Sequence, residues 1–133
     1  MSHYLSDMPQ PKKVWEAAGG AIVTGIICGY LSTTTGWAYY VALAVTIIGG
    51  LPAGSQHRTL RGAALRGVAA GGLWSLALLA TIQISDREAG DAIPRPMWVI
   101  VVIAVVFTAL VSSVVWTIVN RRRQRTATKS AAA

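Results

Sequence analysis

The stretch MWVIVVIAVVFTALVSSVVWTIV, Met97–Val119, runs for 23 residues without a charge and carries Trp98 and Trp116 near its two ends. Its β-branched residues would favour a strand in water, but so long an unbroken apolar run is the length of a bilayer-crossing helix at ~1.5 Å per residue. In lipid every backbone polar group needs a partner within the protein, and a helix supplies one for each. The reading is a transmembrane helix with a tryptophan at each interface.

On its C-terminal side follows NRRRQRTATKSAAA, with Arg121, Arg122, Arg123, Arg125 and Lys129. This basic tail, residues 120–133, is expected to be disordered beyond the membrane edge. On its N-terminal side lies SDREAGDAIPRP, where Asp86, Glu88 and Asp91 stand against Arg87 and Arg95. Before that loop comes a third apolar segment, about residues 64–84. Here Ala63, Gly67, Gly71 and Ser75 recur every fourth position, which puts all four on one helix face. The earlier segment AAGGAIVTGIICGYL, Ala17–Leu31, repeats the pattern with Ala17, Ala21, Gly25 and Gly29. Small-residue stripes of this kind let helix backbones approach closely in lipid, where the hydrophobic effect gives helices little reason to associate. These eight residues are the candidate helix-packing positions. The tetrapeptide AAGG in both segments hints at two related hairpins, although chance is a serious competitor in so Ala- and Gly-rich a chain.

Four spans result, at about 14–31, 37–53, 64–84 and 97–119, within a transmembrane domain covering 14–119. The link STTTG between the first two is short, so they form an antiparallel hairpin. The second span opens on Trp37, Tyr39 and Tyr40 and closes on GGLPAG, where glycines and Pro52 interrupt it. Trp74 falls inside its span instead of at an interface and is expected to fill a gap in the packing. Met1–Lys13 is polar, contains Pro9 and Pro11, and is expected to be an extended tail.

Composition agrees with lipid as the solvent. The chain is 53% hydrophobic and only 13% charged, with a mean hydropathy of +0.51, and the charges are segregated away from the spans. A soluble bundle would need charges on the outer face of each helix. Of the twelve basic residues, Lys12, Lys13, Arg58, Arg61, Arg66, Arg121, Arg122, Arg123, Arg125 and Lys129 belong to the termini and the middle loop, while Arg87 and Arg95 share a loop with three acids. The positive-inside rule then puts both termini in the cytoplasm, and anionic lipid headgroups are the expected contacts of Lys12, Lys13, Arg58, Arg61, Arg66, Arg121, Arg122, Arg123 and Arg125. The net charge of +7 sits in short patches beside apolar spans and offers no folded basic surface, so nucleic acid is not an expected partner.

The residues that chemistry needs are scarce. Cys28 is the single cysteine, so no internal disulfide can form, and His57 stands among arginines without a second ligand. Glu16 lies one turn from its helix start, within reach of headgroup water. No nucleophile sits beside a base and no phosphate-cradling loop is present. No catalytic, cofactor-binding or metal-binding residue is therefore expected, and the chain is not expected to be an enzyme. Helix two and its arginine- and glycine-bearing sequel are similar in composition to hairpins of bacterial efflux proteins, without a motif that would carry function across.

The resulting expectation is an all-α integral membrane protein of a bacterial cell or inner membrane, with four transmembrane helices as two antiparallel hairpins and both termini cytoplasmic. Its expected task is that of a non-catalytic accessory or structural subunit that packs through its small-residue faces, as a homo-oligomer or beside other membrane proteins. The alternatives are a small transporter or channel formed by oligomerisation, and a phage holin-like protein that permeabilises the membrane.

Overall fold

The computed structural model describes residue 9 and residues 14–55, 57–88 and 90–131. Every regular element among them is helical. A π-helical turn, Trp15–Gly19, leads into α1 (Gly20–Thr34); α2 (Gly36–Gly54), α3 (Leu60–Ile84) and α4 (Trp98–Ala131) follow. Two of these helices are long and apolar enough to cross a membrane: α3, with a hydropathy of 1.6, and Trp98–Thr128 of α4, with 2.8. Gly20–Thr34 and Gly36–Pro52 are shorter apolar helices.

Local chemistry moves several boundaries from their predicted places, though α3 still ends at Ile84. The hydroxyls of Ser32, Thr33 and Thr34 donate back to Gly29 O, Tyr30 O and Tyr30 O at 2.7, 2.8 and 3.2 Å, which carries α1 three residues past Leu31. Thr35 alone, extended at φ −147°, separates α1 from α2. The five-residue link thus shrinks to one residue.

Helix α3 begins at Leu60 instead of about 64 because Thr59, also extended, caps it: the Gly62 amide donates to Thr59 Oγ1 at 3.1 Å. It ends where Asp86 turns left-handed at φ 53°, a conformation that the short polar aspartate tolerates better than most residues.

The largest departure is the C-terminal tail. Instead of becoming disordered after Val119, α4 continues to Ala131. The segment NRRRQRTATKSA contains no Gly or Pro, is rich in the good helix formers Arg, Gln and Ala, and places cations at a helix C-terminus, where the macrodipole favours them.

The helices form a four-membered ring in the order α1, α2, α4, α3, with α2 and α3 meeting across the short diagonal. Register fixes their directions. Gly25 faces Trp74 and Ala77 while Gly29 faces Leu78 and Thr81, so α1 and α3 run parallel. Gly67 faces Thr108 and Ala109 while Gly71 faces Ala104, so α3 and α4 run antiparallel. The core between them holds Cys28, Tyr39, Trp74, Leu78, Ile82, Ile93, Ile100 and Ala104. Trp74, 7% exposed, fills the interior as its mid-span position suggests.

Candidate functional site

Two close helix seams and two polar ends are the places where this fold concentrates specific contacts. The seams come from the spacing of small residues. A Cβ added to Gly25 would strike the Trp74 carbonyl oxygen and come within 2.9 Å of Ala77 Cβ; at Gly29 it would meet Leu78 O at 2.7 Å. On the other flank of α3, a Cβ at Gly67 would lie 2.5 Å from Thr108 O, and one at Gly71 would strike Thr108 Oγ1 and sit 2.6 Å from Ala104 O. In each case the obstruction includes backbone of the neighbouring helix, which has no rotamer by which to move away.

The second seam adds a polar clasp. Thr108 Oγ1 lies 2.6 Å from Gly67 O across the seam and 2.6 Å from Ala104 O on its own helix. A hydroxyl has one hydrogen, so these two carbonyls compete for it. The absent side chain at Gly71 is what lets the Thr108 hydroxyl reach this position. A third, softer link joins α1 to α2: Cys28 Sγ is 4.0 Å from Thr46 Oγ1, whose own hydrogen goes to Ala42 O at 2.8 Å, leaving the thiol as donor.

The sequence-derived packing residues divide accordingly. Gly25, Gly29, Ala63, Gly67, Gly71 and Ser75 are buried inside the chain, and Ala21 is half-buried against the core. Ser75 donates to Gly71 O at 2.8 Å and so stays within its own helix. The backbone of Ala17 belongs to the π-helical turn, while its side chain lies outside the described residues. These stripes are occupied by contacts between the chain's own helices, and the glycines at their centres are closed to a second copy.

At one end of the bundle gather the α2–α3 corner and the distal half of α4. The Trp116 indole N–H donates to His57 O at 3.0 Å, tying the corner to α4. His57 Nε2 is buried with no hydrogen-bond partner, and burial, reinforced by the positive charge of Arg66, pushes the imidazole pKa below its ordinary value of 6.5. Arg58 and Arg61 are exposed and Arg66 is half-buried. Arg121, Arg122, Arg123 and Arg125 are exposed on the last turns of α4. Lys12 and Lys13 lie outside the described residues, as does the side chain of Lys129.

At the opposite end the α3–α4 loop folds over the tip of α1. Gly90 N–H donates to Ser32 O at 3.1 Å, an approach in which a Cβ would stand 2.6 Å from that oxygen. Ile93, 4% exposed, anchors the same loop in the core. Two clefts flank it. One, of about 440 Å³, is lined by Ser32, Thr33, Thr34, Thr35, Gly36, Tyr40, Gly90, Asp91 and Ala92. The other, of about 540 Å³, holds both arginines of the loop, Arg87 and Arg95, with Asp86 and Glu88.

Among the described residues no group of three or more His, Cys, Asp or Glu side chains could hold a metal ion. The Thr108 clasp and the Trp116–His57 bond escaped sequence reasoning because each joins positions far apart in the chain. The Thr59 cap carried a readable signal, a threonine immediately before the helical pattern. No family model, curated protein or solved structure matches the chain.

Proposed function

We propose that this chain is a four-span integral membrane protein, a non-catalytic subunit that sits beside copies of itself or other membrane proteins, with both termini in the cytoplasm. The observation that carries this reading is the outward surface of the bundle. Val41, Val45 and Ile48 on α2 and Val102, Val106, Leu110 and Val114 on α4 are exposed, as are Ile22, Ile26 and Tyr30 on α1. The three helices thus carry continuous apolar outer faces. Water penalises contiguous apolar area of that extent, and soluble monomers avoid it. Lipid does not penalise it.

Lengths support the same reading. Trp15–Thr34, twenty residues of continuous helix counting the π turn, spans about 30 Å, the thickness of a hydrocarbon core. Trp15, Trp37 and Trp98 are exposed near helix ends, the level at which amphipathic rings gather. The α2–α3 corner and the end of α4 bring seven arginines, Arg58, Arg61, Arg66, Arg121, Arg122, Arg123 and Arg125, to one end of the bundle. That asymmetry supports a cytoplasmic location for this end.

The seams refine how such a subunit would meet its neighbours. Since its glycine stripes close on its own helices, any partner would dock on the outer aliphatic faces of α2 and α4 or on the basic end. Carbonate washing of membranes, combined with a reporter fused after Ala133 that is active only inside cells, tests the proposal. The expected result is retention in the pellet with an active reporter. Release into the supernatant would end the membrane reading, and a silent reporter on well-expressed protein would reverse the orientation. Native mass measurement in mild detergent tests the subunit reading, which a strictly monomeric species captured without companions would defeat.

A further inference from the structure

The cleft between the α1–α2 corner and the α3–α4 loop differs from its neighbour in chemistry more than in size. The loop carries three acids and two arginines, but both arginines line the other cleft. The walls of this one contain a single charged side chain, Asp91. Three of its five side-chain hydroxyls, those of Ser32, Thr33 and Thr34, are also one-sided. Ser32 donates to Gly29 O at 2.7 Å, Thr33 to Tyr30 O at 2.8 Å, and Thr34 to Tyr30 O at 3.2 Å. With each hydrogen engaged on a helix carbonyl, these oxygens have only lone pairs left for the cleft. The C-terminus of α1 and the N-terminus of α2 meet in this corner with opposite partial charges, so the bias rests on the side chains. Tyr40, exposed on the same wall, adds an electron-rich ring face.

Such a lining presents a carboxylate and three acceptor hydroxyls with no cationic side chain among its walls. We propose that this cleft binds a protonated primary amine, its ammonium group paired with the Asp91 carboxylate and donating to the Ser32–Thr34 hydroxyl oxygens. A primary ammonium brings three donors to an acceptor-rich wall, which a quaternary ammonium of equal charge cannot do. The wall is held in place independently of any ligand by the Gly90 amide on Ser32 O and by buried Ile93. The inference goes beyond the membrane reading and does not depend on it. The amine could be a soluble one or the ethanolamine headgroup of a lipid, since both offer the same ammonium.

Titration of the isotope-labelled full chain in dodecyl maltoside micelles, followed at the Gly90 and Gly36 amides, tests this. Ethanolammonium chloride is the soluble probe, tetramethylammonium chloride the donor-free control, and phosphatidylethanolamine in mixed micelles the lipid form. Saturable shifts are expected with ethanolammonium, with half-saturation raised about tenfold in Asp91→Asn and about tenfold for tetramethylammonium on the wild type. Asp91 is exposed, so Asp91→Asn leaves the fold intact, and Arg87→Gln, in the other cleft, leaves half-saturation unchanged. Tighter binding of phosphatidylethanolamine than of free ethanolammonium assigns the site to the headgroup, and equal or weaker binding assigns it to soluble amines. The absence of saturable shifts with both forms, or an Asp91→Asn titration that overlays the wild type, overturns the proposal.

Discussion

Glycine does opposite things in two parts of this molecule. In the seams, Gly25, Gly29, Gly67 and Gly71 each lie where a single added carbon would collide with the neighbouring helix. Along α2 and on the outer flank of α3, Gly49, Gly50 and Gly72 have no atom within 4 Å of that position. Gly71 and Gly72 are adjacent in sequence yet fall on opposite sides of the distinction. What makes a glycine structural here is its place on a four-residue stripe that faces another backbone. The open glycines contribute only backbone freedom, which costs a helix about 1 kcal/mol relative to alanine.

The largest effect should therefore come from filling a seam. Gly71→Leu and Gly25→Leu force α3 away from α4 and α1 respectively, and are expected to cost more than the ~1–3 kcal/mol typical of overpacking, since the obstruction includes backbone. Gly50→Leu, the same substitution at an open site, should carry no packing cost and raise stability by up to ~1 kcal/mol through helix propensity. Equilibrium unfolding in mixed detergent micelles, read by far-ultraviolet circular dichroism, measures both. If Gly50→Leu proved as damaging as Gly71→Leu, the contrast would fail and α2 would have to be packed by something beyond its own chain.

Next in size is the clasp of the second seam. Thr108→Val keeps the shape of the side chain and removes the hydroxyl shared by Gly67 O and Ala104 O, both 2.6 Å away. Hydrogen bonds between helices in lipid average about 0.6 kcal/mol, so a loss of about 0.5–1.5 kcal/mol is expected by the same unfolding measurement. Combining Thr108→Val with Gly71→Ala sharpens the comparison. The added Cβ of Gly71→Ala would strike the Thr108 hydroxyl, so the two changes should be non-additive, with a coupling of at least ~0.5 kcal/mol. Full additivity would mean that the groove and the clasp work separately.

Much of this arrangement was legible in the residues themselves. The four apolar segments, the stripes Gly25–Gly29 and Gly67–Gly71, and the placement of Trp74 follow from charge distribution and helical period. What the sequence could not specify was the partner of each stripe: the same spacing suits a second copy or a neighbouring helix of one chain, and only tertiary register decides. The helical tail beyond Val119 was misread because a charged, span-free segment looks disordered unless its intrinsic helix propensity is weighed. The acceptor-lined cleft was invisible for another reason. It depends on where hydroxyl hydrogens point and on which cleft receives Arg87 and Arg95, and neither is written in residue order.

The smallest expected effect separates the seams from the corner where α2 meets α3. The seam contacts at Gly67 and Gly71 include no titratable group, so the cost of Gly71→Leu should not vary between pH 5 and 8. The corner differs, because the Trp116 indole holds the carbonyl of His57, whose ring is depressed below 6.5 by burial first and by Arg66 second. Arg66 of α3 acts on this ring through its charge, Gly62 of α3 packs beside Nδ1, and neutral Trp116 of α4 holds the backbone carbonyl. With its folded pKa lowered, His57 takes up protons more readily in the opened corner. The stability it contributes is thus present in full above 6.5 and is lost as pH falls below 6.5 towards the folded value. The Trp116 indole proton resonance should accordingly report loosening on acidification, with a midpoint below 6.5. His57→Gln keeps the backbone carbonyl and should leave the indole bond in place while abolishing its pH response. A response that survives in His57→Gln would assign the titration to another group and remove the electrostatic difference between corner and seam.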